Sequence, residues 1–151
     1  MKTLILYSSK RGTTLKCSKL IAAKSTDFDM IDIKENKSPN LEPYERVYIG
    51  SPVYYGKINK RISQFISTNK DILLKKDLRI FTVGMDDNNI QDTRKNNFDK
   101  DVLDHAKIIY AGGAYNFEEM SWFERFIVKR ISSVNESYQN IKKEAIIELT
   151  K

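Results

Sequence analysis

The opening stretch, MKTLILYSSKRGTTLKCSKLIAAK, constrains this chain more than any other. Leu4, Ile5, Leu6 and Tyr7 form a short apolar run of strand type, led in by Lys2 and Thr3. From Thr14 onward the period changes, with Leu15, Ser18, Ile21 and Ala22 spaced like one face of a helix. Between them, Ser8 to Thr14 is small, hydroxylated and basic. A buried strand therefore runs through a tight hydroxyl-rich loop that opens a helix. The free N–H groups of a first helical turn point at whatever lies beyond it, and the helix dipole favours an anion there. Gly12 allows close backbone approach or a positive φ. Ser8, Ser9, Thr13 and Thr14 can each donate a hydroxyl to a phosphate oxygen. The plainer alternative is a turn in which Ser and Thr merely cap the helix. The loop is not a Walker motif, and it is not a dinucleotide fingerprint, because Gly12 is its only glycine.

Further strands are predicted at Phe28 to Ile33, Arg46 to Gly50, Leu78 to Val83 and Lys107 to Ala111. Helical spacing is predicted over Lys57 to Asn69, over 94–104 and over Ser121 to Ser132. Residues 34–45 are polar, carry Pro39 and Pro43, and predict a loop with at most a short helix. Residues 136–149 predict another helix, or a strand from Ala145 to Leu149. Short strands alternating with helices argue for an α/β domain over 1–151: one doubly wound, five-stranded parallel sheet of order 2-1-3-4-5 with helices on both faces. In such sheets ligands bind beyond the carboxyl ends of the strands, near the switch point. The loops after strands one, three and four are therefore expected to converge.

Lys and Arg number 26 against 20 Asp and Glu, a net charge of +6. That balance raises nucleic acid, an anionic membrane surface or an acidic protein as partners. No recognition helix, RNA-binding strand or zinc finger accompanies it, so no nucleic acid is expected. Cys17 is the only cysteine, which leaves no disulfide framework and no cysteine metal cluster. A reducing cytoplasm is the expected setting, and neither a signal peptide nor a run of ~20 apolar residues is present. No metal-ligand spacing or carboxylate pair stands out. His105, the only histidine, precedes the last strand and receives no catalytic role. Cys17 reads as a small buried hydrophobe on the first helix, with Leu20 and Ile21 beside it.

Two other loops complete the pattern. Gly50-Ser51-Pro52-Val53-Tyr54-Tyr55-Gly56 is bounded by glycines and presents two adjacent tyrosines. A flat ring needs such an aromatic wall, with backbone groups at its edge. The tyrosines can equally close the core at the start of a helix. After the fourth strand comes Gly84-Met85-Asp86-Asp87-Asn88-Asn89. In chain order, these loops resemble those of flavodoxins. There a Thr/Ser-x-Thr-Gly-x-Thr loop wraps the FMN phosphate, a Gly-x-Pro-x-x-x-Gly loop lies against the isoalloxazine, and a third loop bounds its other side. The resemblance implies FMN as cofactor. It assigns the phosphate to Ser9, Lys10, Arg11, Gly12, Thr13 and Thr14, with Arg11 in place of a usual hydroxyl. It assigns the ring to Ser51, Pro52, Val53, Tyr54, Tyr55 and Gly56 on one side, with either tyrosine stacking, and to Gly84, Met85 and Asp86 on the other. Lys10 and Arg11 beside the flavin would favour its anionic reduced form, which implies a less negative potential than an acidic flavodoxin has.

The segment AGGAYNFEEMSWFERFIVKRI, Ala111 to Ile131, resembles the region after the fifth strand of menaquinone-dependent protoporphyrinogen oxidases, above all in Trp122-Phe123-Glu124-Arg125-Phe126. Those enzymes carry a longer basic insert after the fourth strand, whereas residues 85–97 here are short and mix acid with base. The resemblance implies an FMN-dependent redox protein of flavodoxin type that passes electrons to a redox partner protein. One alternative is an oxidoreductase that oxidises a bound small molecule, with protoporphyrinogen as the candidate, and hands electrons to a quinone, with Tyr115 and Phe117 lining the substrate cleft. Another is a flavin-free interaction module on the same fold. Residues 121–131 read as a helix packed on the sheet. The alternative is peripheral contact with the inner membrane face, with Arg125, Lys129 and Arg130 meeting headgroups.

Overall fold

The computed structural model describes residues 2–10, 12–84, 90–115 and 138–151. In chain order the elements are β1 (Thr3–Tyr7), α1 (Thr13–Ala22), β2 (Phe28–Asp32), β3 (Arg46–Tyr54), β4 (Lys57–Ile58), α2 (Lys60–Thr68), α3 (Lys70–Leu73), β5 (Asp77–Val83), α4 (Ile90–Asn97), α5 (Lys100–His105), β6 (Lys107–Tyr110), β7 (Gly112–Tyr115), β8 (Tyr138–Ile141) and α6 (Lys143–Thr150). Five parallel strands follow the order β2-β1-β3-β5-β6, which is the expected doubly wound arrangement. Two small antiparallel additions were not expected: β4 folds back on β3, and β7 pairs with β8.

Alternation along the central strands sends side chains to two cores. Leu4, Leu6, Val47, Ile49, Leu78 and Ile80 face one side, where Ile62, Phe65 and Ile66 of α2 cover them. Ile5, Tyr48 and Phe81 face the other, under Cys17 and Ile21 of α1 and Ile146 and Leu149 of α6. Burial on both faces explains why these strands read as continuous apolar runs. Arg79, 6% exposed, sits on the second side, pairs with Asp77 at 3.1 Å and donates to the Leu149 carbonyl at 2.5 Å. It thereby fastens the end of α6 to the sheet.

Several predicted boundaries move, each for a local reason. Gly50 does not end the third strand. It lies opposite Phe81 inside β3, and a Cβ there would come within 2.1 Å of the Phe81 ring, so its glycine makes room for that ring. Gly50 to Tyr54 is accordingly strand, and only Tyr55 and Gly56 form the turn. The helix predicted from Lys57 starts later, because Asn59 caps α2 by accepting from the Arg61 and Ile62 N–H groups at 2.9 and 3.2 Å. The helix predicted over 94–104 is two helices. Asp99 starts the second by accepting from Val102 N–H at 3.0 Å. Within 136–149, residues 138–141 are strand, and Ala145 to Leu149 is helix rather than strand. The predicted helix over 121–132 lies outside the described residues.

Candidate functional site

The carboxyl ends of β1, β3 and β5 are neighbours on one edge of the sheet. Ser8, just past β1, donates its N–H to the Gly50 carbonyl at 3.0 Å, which ties the first loop to β3. Gly12 has φ 90°, the left-handed region, and a Cβ added there meets nothing within 4 Å. The glycine is thus required by its backbone conformation rather than by crowding. Its N–H bonds Ser9 Oγ at 3.0 Å. The α1 ladder opens with Lys16 N–H to the Gly12 carbonyl at 3.0 Å, so the N–H groups of Thr13, Thr14 and Leu15 have no place in it. Ser8, Thr13 and Thr14 are 3%, 7% and 2% exposed, and their hydroxyls meet no partner among the described residues. Buried hydroxyls and orphan N–H groups gathered along one loop are the kind of donors an anion would take.

β3 leads into a two-residue hairpin in which Tyr54 faces Lys57 and Val53 faces Ile58. Tyr55 and Gly56 have φ 53° and 75°, the pattern of a type I′ turn. Tyr54 is 45% exposed and Tyr55 98%. Lys10 places its ammonium 5.4 Å from the centre of the Tyr54 ring, which joins the first loop to the hairpin. Ser51 is fully engaged in structure: its hydroxyl donates to the Pro52 carbonyl at 2.9 Å and accepts the Asn59 N–H at 2.8 Å. A groove of about 360 Å³ runs between the two segments, lined by Ser8, Ser9 and Lys10 on one wall and Pro52, Tyr54 and Lys57 on the other.

Gly84 follows β5 and stands beside β3, with its Cβ position 3.5 Å from the Val53 carbonyl. Its own carbonyl accepts the Tyr110 hydroxyl. The described parts of the three expected segments therefore meet at one edge. Arg11, Met85 and Asp86 lie outside the described residues. Sequence reasoning missed Lys34, Lys57 and Asn59, which also line the groove. The signal for Lys34 is the strand order itself: it follows β2, which lies next to β1. Lys10, Lys34 and Lys57 give the groove a cationic rim, with no carboxylate among the described residues of its lining, which suits an anionic ligand.

Residues outside the site keep to structural roles. Cys17 is fully buried, and burial pushes its thiol up to about 12. A thiol so reluctant to ionise is no nucleophile at neutral pH. His105 Nε2 meets the Lys76 carbonyl at 2.7 Å, remote from the groove. Among the described residues no group of three or more His, Cys, Asp or Glu can hold a metal ion, and no helix is long and apolar enough to cross a membrane.

The family described as Flavodoxin domain matches residues 4–142. The chain is 23% identical over 159 residues to the protoporphyrinogen IX dehydrogenase (quinone) of Escherichia coli, a match spanning 97% of this chain and 87% of that protein. Its fold is similar to that of a flavodoxin, WrbA-like protein from Agrobacterium tumefaciens, with TM-score 0.56, 17% identity, and 82% and 87% of the two chains covered. It is also similar to oxidised Flavodoxin 1 from Bacillus cereus, with TM-score 0.51, 16% identity, and 73% and 84% covered.

Proposed function

The chain belongs to the Flavodoxin domain family, and from that premise we propose that it is an FMN-dependent redox protein that transfers electrons through a bound flavin. The observation that carries this reading is the loop beside the groove: three buried hydroxyls without a partner among the described residues, and the open first turn of α1 at the switch point of the sheet. The FMN phosphate would be held by the N–H groups of Thr13 and Thr14, the hydroxyls of Ser8, Ser9, Thr13 and Thr14, and the charges of Lys10 and Arg11. Pro52, Val53 and Tyr54, with the Tyr55–Gly56 turn, would border one side of the ring. Gly84, Met85 and Asp86 would border the other. Ser51 would act from behind, since its hydroxyl already fixes the hairpin to α2. When bound, FMN supplies one- and two-electron transfer, and the protein binds, orients and shields it.

An absorbance titration tests this. Purified protein is expected to carry, or take up, one FMN per chain, and to bind riboflavin, which lacks the phosphate, at least about a hundredfold more weakly, given several charge-assisted bonds to the phosphate. No uptake of FMN would leave the flavin-free module as the better reading, and equal affinity for riboflavin would remove the phosphate assignment.

The match to a quinone-linked dehydrogenase over 97% of this chain favours a second reading, in which the flavin takes electrons from a small molecule and a quinone removes them. Adding protoporphyrinogen to the FMN-loaded protein separates the two: bleaching of the flavin followed by recovery with menaquinone supports the oxidoreductase, and no bleaching supports a carrier between proteins.

A further inference from the structure

We infer that Asn97 is a positioning residue for the flavin site, acting by holding the Tyr54–Ile58 hairpin from outside; the flavin part of this rests on the function proposed above. The side chain of Asn97, at the end of α4, reaches the hairpin with both ends of its amide. Its Nδ2 donates to the Gly56 carbonyl at 2.8 Å, and its Oδ1 accepts the Ile58 N–H at 3.0 Å. A third bond, from Nδ2 to the Thr93 carbonyl at 2.7 Å, fixes the side chain to its own helix. Gly56, the second turn residue, and Ile58, in the short return strand, are two apart, and their carbonyl and N–H both reach the one amide. A neighbouring parallel strand would bond this pair of groups. One carboxamide replaces that strand, satisfying an edge that would otherwise be left to water.

The hairpin needs such help. β4 has only two residues, and an isolated two-residue pairing is marginal in water. Its turn carries a tyrosine at φ 53°, an unfavourable conformation for any side chain but glycine or asparagine. The same hairpin presents Tyr54 and Lys57 to the groove. α4 itself buries none of its residues. It is attached through Asn97 to the hairpin, through Arg94, whose Nη2 donates to the Ile108 carbonyl at 3.1 Å, and through the buried Phe98 that directly follows it. Asn97 is therefore where the segment after β5 is joined to the segment after β3, and the hairpin is ordered before a ligand arrives. Without the clamp, that ordering would be charged against binding.

The test compares the full-length protein with Asn97→Ala, Asn97→Asp and, as a control on the exposed side of α4, Asn96→Ala. Hydrogen exchange reads the clamp and FMN titration reads its consequence. Asn97→Ala is expected to speed exchange of the Ile58 amide about tenfold, with Ile5 and Ile80 amides unchanged, and to weaken FMN about tenfold, the scale of two lost hydrogen bonds. Asn97→Asp keeps an acceptor for the Ile58 N–H but donates nothing to Gly56, so it should keep Ile58 protected and weaken FMN less than the alanine variant. Asn96→Ala should change neither. The inference fails if Ile58 exchange is unchanged in Asn97→Ala, if it rises with no change in FMN affinity, or if all amides accelerate together, which would mark a general loss of stability. If Asn97→Ala frees Ile58 but even the unaltered protein takes up no FMN, the clamp stands and the proposed function falls.

Discussion

Helices α1 and α4 follow two strands that end at the same edge of the sheet, yet they are attached in opposite ways. α1 buries Thr13, Thr14, Cys17, Ser18 and Ile21, half of its ten residues. α4 buries none of its eight. Apolar burial is strong, close-packed and without direction, so it fixes α1 as part of the core. Side chain-to-backbone bonds are directional and individually modest. They hold α4 in register while letting it open at low cost. The hydroxyl-rich loop therefore stands on rigid ground and the tyrosine hairpin on adjustable ground. A flavin site needs this division if the phosphate is a fixed anchor and the ring's surroundings must adapt to its redox state.

The widest gap between the two regions should appear in local opening. Cys17 is a direct probe of α1, because its thiol is fully buried and pushed up to about 12. Modification by iodoacetamide at pH 8 is expected to run at least about a thousandfold slower than in denaturant, as global opening requires. Amides of α4 should exchange orders of magnitude faster than those of α1 under the same conditions. Comparable protection of the two helices would break the comparison outright.

Point substitutions test the same contrast energetically. Ile21→Ala removes a fully buried side chain from the second core and is expected to cost about 3 kcal/mol of unfolding free energy, as large-to-small core changes do. Arg94→Ala removes one helix-to-sheet bond from α4 and should cost about 1 kcal/mol or less. Denaturant unfolding monitored by circular dichroism measures both. If the two costs were equal, α4 would be as much a part of the core as α1.

This contrast also decides what was legible in the sequence. The α1 side was readable because burial leaves periodic traces: the apolar run of β1, the helical spacing after Thr14, and hydroxyls around one glycine. The five parallel strands and their order followed from the same traces. On the other side, the signals were there but competed. Gly50 read as a strand end because glycine usually interrupts strands, whereas here its missing side chain accommodates Phe81. Tyr55-Gly56 marks a two-residue turn only if tyrosine is allowed a positive φ, which local preference argues against. Asn59 and Asp99 were readable as caps, yet the apolar spacing around them ran on. Asn97 left no trace, since its role depends on a hairpin 39 residues earlier in the chain coming within 3.0 Å.

The smallest expected effect gives the finest reading of the adjustable side. Tyr55 is 98% exposed and sits at φ 53°, so in the absence of a ligand it contributes strain and almost no packing. Asparagine is the residue that the first position of a type I′ turn favours. Tyr55→Asn should therefore raise unfolding free energy by about 0.5–1 kcal/mol, the order of the left-handed penalty relieved. Among the described residues no other side chain sits at a positive φ, so the rigid side offers no comparable strain to release. If the same variant also binds FMN more weakly, the tyrosine is retained for the ring at the expense of stability, as strained residues at functional sites are. Unchanged affinity would leave Tyr54 as the stacking residue. A loss of stability in the ligand-free protein would show that Tyr55 makes a contact its exposure conceals, and that the hairpin is less adjustable than its polar fastening implies.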